Sequence, residues 1–141
     1  MKRVYCTSIL KQGSTYELEK KYYIHLVKVM RLKIGDHVSL FNNTSGEWKS
    51  EIVDIKNNFL IAKTISQVSL PQAETSIDLM FSPIKYQNSE SVIRQSTEMG
   101  IRSIFPTIFK RTISKKINLS KFNTYAIGAA QQSERLSIPN I

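Results

Sequence analysis

A chain of 141 residues with 41% hydrophobic content is long enough for one ordinary domain, or for a small domain and part of another, and too apolar for a disordered tail. Its 20 lysines and arginines against 11 aspartates and glutamates give a net charge of +9, a balance that favours an anionic partner, of which nucleic acid is the commonest. The single cysteine, Cys6, excludes an internal disulfide framework, and no stretch approaches the ~20 apolar residues of a membrane span, so a cytoplasmic, soluble protein with no membrane partner is expected.

The basic excess occurs in both halves, with 11 basic and 6 acidic side chains in residues 1–70 and 9 and 5 in residues 71–141. It is most polarised where Arg102, Lys110, Arg111, Lys115, Lys116 and Lys121 follow one another with no acid between them. For the charge alone, a solvated lysine-rich surface is an equally good account.

In chain order, Leu18, Tyr22, Leu26, Val29 and Met30 recur at spacings of three and four, which predicts a helix over 17–30. His37 to Phe41 alternates as a strand, with Val38 and Leu40 on one side. Asn42-Asn43-Thr44-Ser45-Gly46 is turn chemistry, and a hairpin follows with arms 48–55 and 59–66 joined by Lys56-Asn57-Asn58. Several short strands at this spacing predict a small barrel or sandwich. Pro71, within Ser69 to Glu74, marks a boundary.

Beyond it, strand and helix alternate. Ile77 to Phe81 reads as a buried strand, Asn88 or Ser89 as the cap of a helix ending at Met99 before Gly100, and Ile101 to Phe105 as a second strand. Leu119 to Arg135 predicts another helix, capped by Ser120, with Phe122, Tyr125, Ala126, Ala129 and Ala130 on one stripe. The fold class is therefore mixed, a β-barrel followed by the start of a parallel α/β sheet. Two strands and two helices cannot cover both faces of such a sheet, so apolar surface should be exposed unless a partner covers it. A homodimer that buries the Phe122, Tyr125 and Ala129 stripe is one such arrangement.

Candidate side chains are few. Glu98 is the one weak candidate for a catalytic proton acceptor; a helix-surface carboxylate paired with Arg94 is the plainer reading. Arg111 and Arg135 have the planar fork that grips phosphate through two bonds, and surface or helix-end arginines read equally well. His25 titrates near neutrality, but on the first helix a packed or RNA-facing role is the better reading. Arg31 and Lys33 contact an RNA backbone or solvate a helix end, while Gly35-Asp36 is a turn. Gln132 and Ser133 present hydrogen-bonding groups to a base edge or pack within a helix. No metal-ligand spacing, phosphate-cradling loop or nucleophile elbow is present.

Several segments, taken in order, carry a resemblance: Arg3-x-Tyr5; His25-x-x-x-Val29-x-Arg31-x-x-x-Gly35-Asp36; Lys85, Thr97-Glu98-Met99-Gly100-Ile101, Pro106 and Arg111; then Gln132-Ser133-x-Arg135 and Pro139. Together the chain resembles the RsmE-type family, the 16S ribosomal RNA uridine-N3 methyltransferases that use S-adenosylmethionine and belong to the knotted SPOUT superfamily. The resemblance implies a PUA-like RNA-binding barrel over 1–70 and a partial SPOUT methyltransferase domain over 71–141. It implies 16S ribosomal RNA or the small ribosomal subunit as partner and RNA contacts from Arg3, His25, Arg31, Lys85, Arg94, Arg111, Gln132, Ser133 and Arg135.

Family members continue into a glycine-rich stretch and a further strand and helix that form the knot and the cofactor pocket. No cofactor-binding residue is therefore expected within this chain, nor activity from the chain alone. Gln95 stands where the family usually has lysine and Gln131 where it usually has glutamate, each removing a charge from a helix near RNA or cofactor. The alternative is a stand-alone RNA-binding module with a vestigial methyltransferase segment.

Overall fold

Short apolar runs separated by Gly and Asn turns become seven strands and three helices in the computed structural model, which describes residues 2–73, 75–84, 86–112 and 115–141. Contacts divide the chain into two units, Met1–Pro71 and Gln72–Ile141.

The first unit contains β1 (Arg3–Tyr5), β2 (Thr15–Leu18), α1 (Lys20–Tyr23, continued by a π-helical stretch Ile24–Val29), β3 (His37–Asn42), β4 (Gly46–Lys56) and β5 (Phe59–Ser69). They form one sheet in the order β1-β3-β4-β5-β2, antiparallel except where β1 runs parallel to β3. Asn58 makes the β4–β5 turn with φ of 85°, a left-handed conformation that asparagine tolerates. Register shifts at Glu47/Trp48, Lys49/Ser50 and Ile52/Asp54 bend the two long strands and let the sheet wrap a core. That core is Val4, Leu10, Leu18, Leu26, Val38, Leu40, Ile52, Leu60 and Ala62 with Cys6; full burial of each large aliphatic contributes about 1.5–3 kcal/mol.

The expected helix over 17–30 is shorter and less regular than its spacing predicts. Thr15–Leu18 is a strand paired with β5, Leu18 facing Leu60. The helix then widens, with the Met30 N–H donating to the His25 carbonyl at 3.0 Å, five residues back. Widening rotates the following side chains out of register, so Leu26 is buried but Val29 and Met30 are 66% and 38% exposed.

The second unit contains β6 (Asp78–Phe81), α2 (Tyr86–Met99), β7 (Ser103–Pro106) and α3 (Leu119–Gln132). β6 and β7 pair in parallel, Leu79 beside Ile104 and Met80 beside Phe105. Alternation along both strands separates two faces. Leu79, Phe81 and Ile104 pack with Ile93, Phe122 and Ala126, whereas Met80 and Phe105 stay 63% and 50% exposed. At the chain's end Asn140 bridges Ser103 in parallel, with the Asn140 carbonyl accepting from Ile104 N–H at 2.7 Å and Asn140 N–H donating to the Arg102 carbonyl at 3.0 Å.

The barrel and the parallel α/β layer follow the sequence pattern, with local corrections. The first parallel strand is half-exposed rather than buried, α2 begins before Asn88, and Asn118, not Ser120, caps α3 by accepting from Lys121 N–H at 3.0 Å. The helix ends at Gln132 instead of Arg135 because Glu134 turns the chain with φ of 59°. The dimer stripe is corrected too: Phe122 and Ala129 lie in their own unit's interior at 5% and 0% exposure, so neither is available to a second copy.

Candidate functional site

In the first unit the candidate cations sit where the widened helix stops. Met30 closes it, Arg31 takes the left-handed conformation with φ of 58°, and Leu32 N–H donates to the Leu26 carbonyl at 2.9 Å. A non-glycine residue in this conformation is uncommon and strained; here it sets the Arg31 side chain in solvent beside the helix end. The next turn is fixed by Asp36 Oδ2, which accepts from Lys33 N–H at 2.7 Å, and by Gly35 N–H, which donates to the Ile52 carbonyl at 2.8 Å. His25, Lys28, Arg31 and Lys33 are all exposed, as are Ile24, Val29 and Ile34. Basic and apolar groups thus share one surface segment, as suits a polyanion whose bases are accessible.

Arg3 is corrected. Its side chain is 4% exposed, and Nε and Nη2 each donate to Glu47 at 3.0 Å. Ser39 Oγ also donates to Glu47, and the Arg3 guanidinium lies 4.1 Å from the Phe41 ring centre. The arginine is an internal strut of the sheet, out of reach of a phosphate. Two further titratable groups, Tyr22 and Cys6, pack in the interior of this unit. Burial first, then Glu19, pushes Tyr22 up to about 12, and its hydroxyl donates to the Tyr5 carbonyl at 3.1 Å. Burial likewise pushes the Cys6 thiol up.

In the second unit the candidates fall at two opposite ends of the parallel pair. At the amino end, α2 stops at Gly100, whose φ is 82°, with Gly100 N–H donating to the Thr97 carbonyl and Ile101 N–H to the Ser96 carbonyl, both at 3.0 Å. Arg135 packs its guanidinium over Gly100 and donates from Nη1 to the Glu98 carbonyl at 3.4 Å. Gln132 and Ser133 are exposed beside it, the Ser133 hydroxyl donating to the Ala129 carbonyl at 2.8 Å. Arg135 and Glu98 are therefore brought together, with Gln132 and Ser133 adjoining Arg135 only along the chain.

The expected Glu98–Arg94 pair is corrected: Arg94 Nε donates to Glu90 at 2.9 Å, one helical turn earlier, and its guanidinium lies 5.5 Å from the Tyr125 ring centre. Glu98 itself is exposed at the amino end of the strands, away from the carboxyl end where open α/β sheets place their ligands.

Arg111 lies beyond that carboxyl end, exposed. Lys85 falls outside the described residues. Around Arg111 the structure adds groups that spacing did not single out: Phe109, 50% exposed, and the hydroxyls of Ser82 and Thr112, 2.8 Å apart. An aromatic residue directly followed by two cations was the signal available in the sequence. Arg102, counted among the acid-free cations, is held by Asp78, its Nε donating to Oδ1 at 2.9 Å; the arginine holds the Asp78 carboxyl below the usual carboxylate range. Among the described residues no group of three His, Cys, Asp or Glu side chains could hold a metal ion, and no helix is long and apolar enough to cross a membrane.

Comparison with known proteins gives these features a family. A family model described as an RNA methyltransferase domain matches residues 71–141, just over half the chain, and one described as an RNA methyltransferase PUA domain matches residues 23–65. The ribosomal RNA small subunit methyltransferase E of Rickettsia conorii is 34% identical over 140 residues, covering 99% of this chain and 57% of that protein. A Legionella pneumophila structure, described as a methyltransferase in complex with the cofactor SAM, is 26% identical with a TM-score of 0.81, covering 98% of this chain and 60% of that one. The ribosomal RNA small subunit methyltransferase E of Neisseria gonorrhoeae, solved with S-adenosyl methionine, shares the fold at a TM-score of 0.84 and 21% identity, covering 100% of this chain and 60% of that one. This chain thus spans well under two thirds of the length of each of these relatives. With a PUA-like barrel followed by the first part of a SPOUT-type parallel sheet, it belongs to the RsmE-type RNA methyltransferase family.

Proposed function

We propose that this chain serves the methylation of N3 of a uridine in 16S ribosomal RNA, with S-adenosylmethionine as methyl donor, in the cytoplasm. Residues 1–70 act as the RNA-binding barrel and residues 71–141 as part of the methyltransferase domain. The observation that carries the reading is the family match over 71–141, together with 34% identity over nearly the whole chain to a small subunit ribosomal RNA methyltransferase.

The chemistry requires a uridine removed from its stack, loss of the N3 imide proton, and alignment of that nitrogen with the donor methyl. What these residues supply is grip. His25 and Arg31 on the barrel, and Arg111 and Arg135 on the second unit, would hold phosphates and so fix the RNA, with Gln132 and Ser133 available to a base edge. Arg94, on α2, is tied to Glu90 and Tyr125 and would offer the rest of its guanidinium to RNA. The donor would supply an electrophilic methyl group, and the described side chains would contribute to RNA positioning.

A methyl group on N3 blocks the Watson–Crick edge and halts reverse transcription. Deleting the encoding gene should remove one such stop from 16S ribosomal RNA, and restoring the gene should return it. An unchanged stop pattern would rule the reading out. The second reading, a stand-alone RNA-binding module, draws on the self-contained core of the first unit. It expects salt-sensitive RNA association with no change in those stops.

A further inference from the structure

The loop after β7 holds a half-exposed aromatic ring outside the core of the unit that carries it. Phe109 is 50% exposed and is not among the residues packed around Ile93 and Phe122. Its backbone is nevertheless fixed from both sides. Phe109 N–H donates to Thr112 Oγ1 at 2.8 Å and Thr112 N–H donates to the Phe109 carbonyl at 3.0 Å. Residues 109–112 therefore form a β-turn with Lys110 and Arg111 as its central pair. Thr112 is buried and hydrogen-bonded to the Ser82 hydroxyl at 2.8 Å, while Thr107 N–H donates to the Phe81 carbonyl at 2.8 Å. These bonds anchor the turn at the carboxyl ends of β6 and β7, the edge where open parallel sheets bind ligands.

A flat apolar ring beside two exposed cations matches the chemistry of unpaired nucleotides, whose bases stack on aromatic side chains while their phosphates meet lysine and arginine. A free phosphate would leave the ring in water. An apolar protein surface would bury Lys110 and Arg111 without counter-charges, at a high desolvation cost. A paired RNA helix offers phosphates but no exposed base face. Charge complementarity extends along the sequence, since no acid occurs between Arg102 and Lys121 and Lys115 and Lys116 are exposed as well.

We propose that Phe109, Lys110 and Arg111 form a landing turn for a single-stranded RNA nucleotide, its base stacked on Phe109 and its flanking phosphates held by the two cations. The proposal rests on the reading of this chain as RNA-binding and specifies the RNA feature gripped. It also suits an enzyme whose target base must leave its helix, because a neighbouring base held on Phe109 cannot restack into the duplex.

Fluorescence anisotropy of the full chain with a labelled single-stranded RNA, and with the duplex of the same sequence, tests it. Phe109→Ala and Phe109→Leu should each weaken single-strand binding about tenfold, toward the lower end of the range for losing one stacked base, and leave duplex binding unchanged. Phe109→Trp should retain affinity and show indole quenching on binding, beyond any change from Trp48 in the parent chain. Lys110→Gln should lower the salt slope by roughly one. If the parent binds the single strand and both Phe109 truncations bind it equally well, the landing turn is wrong and the RNA reading stands. If the parent binds neither RNA, both fall.

Discussion

In the first unit the sheet wraps its own core, whereas in the second it is covered on one face only, and the charged residues differ accordingly. The barrel encloses an arginine and a glutamate in its sheet and shows other cations at the helix end and along the outer side of β4 and β5. The second unit keeps Arg135 on Gly100, Arg111 in the 109–112 turn and Arg102 against Asp78, all near the ends of the parallel pair, with Arg94 held on α2 by Glu90. A sheet that surrounds its interior can orient a buried charge from several strands at once; a two-stranded layer offers charges only at its rims. For this reason the arginine expected on RNA in the first unit is structural, whereas Arg111 in the second lies exposed.

The largest effect that would break this comparison is loss of the internal pair. Arg3→Ala leaves Glu47 and its Ser39 hydrogen bond inside the sheet without their cation, at 10% side-chain exposure. Removal of one partner of such a pair costs about 3–5 kcal/mol. Urea denaturation followed at Trp48 should show it. An effect below about 1 kcal/mol, the size of an exposed pair, would mean that Arg3 is free to contact RNA after all.

Two glycines give the next step down. At Gly46, φ of 74° and the main chain of Ser69, Leu70 and Pro71 leave no room for a Cβ. The strands cannot separate there without losing their ladder, so Gly46→Ala should cost roughly 2–3 kcal/mol. At Gly100 the obstacle is the Arg135 guanidinium, the far end of a flexible side chain. Gly100→Ala should therefore cost only about 1 kcal/mol, from its φ of 82°, while displacing Arg135 from the Glu98 carbonyl. Paired thermal melts would check the order, and equal costs would show that Arg135 is as rigid as a strand.

The main elements were legible because local chemistry agrees with the fold: Asn57 and Asn58 between two β-branched runs, Gly100 after a helical stripe, Pro71 at the unit boundary. The failures have physical causes. Glu17 and Leu18, the end of a strand, fall within the expected helix because Leu18 happens to continue its spacing, and the π-helical widening that leaves Val29 exposed has no signature in that spacing. Arg3 reads as a surface cation until its partner, 44 residues away in sequence, is brought beside it. Glu98 and Arg94 have pairing geometry on a helix, but Glu90 has it too, and the choice between them follows from where Tyr125 packs. Phe109 was passed over because an aromatic in a loop carries no period.

The smallest effect tests the uncovered face. Met80 and Phe105 are cross-strand partners, so their side chains lie together on the side of the sheet opposite Leu79 and Ile104. If that face is solvent-exposed, as their 63% and 50% exposure indicates, little apolar area is at stake. Met80→Thr with Phe105→Thr keeps β-forming residues on both strands and should shift stability by no more than about 0.5 kcal/mol. Ile104→Ala, one residue before Phe105 on the covered face, should cost far more, because it opens a cavity against Ile93 and Phe122. Sedimentation of the double variant supplies the second readout. If this face associates with another surface in solution, the two threonines will abolish that association while the melting temperature hardly moves; a large loss of stability in the isolated monomer would mean that the face is already covered from within the chain.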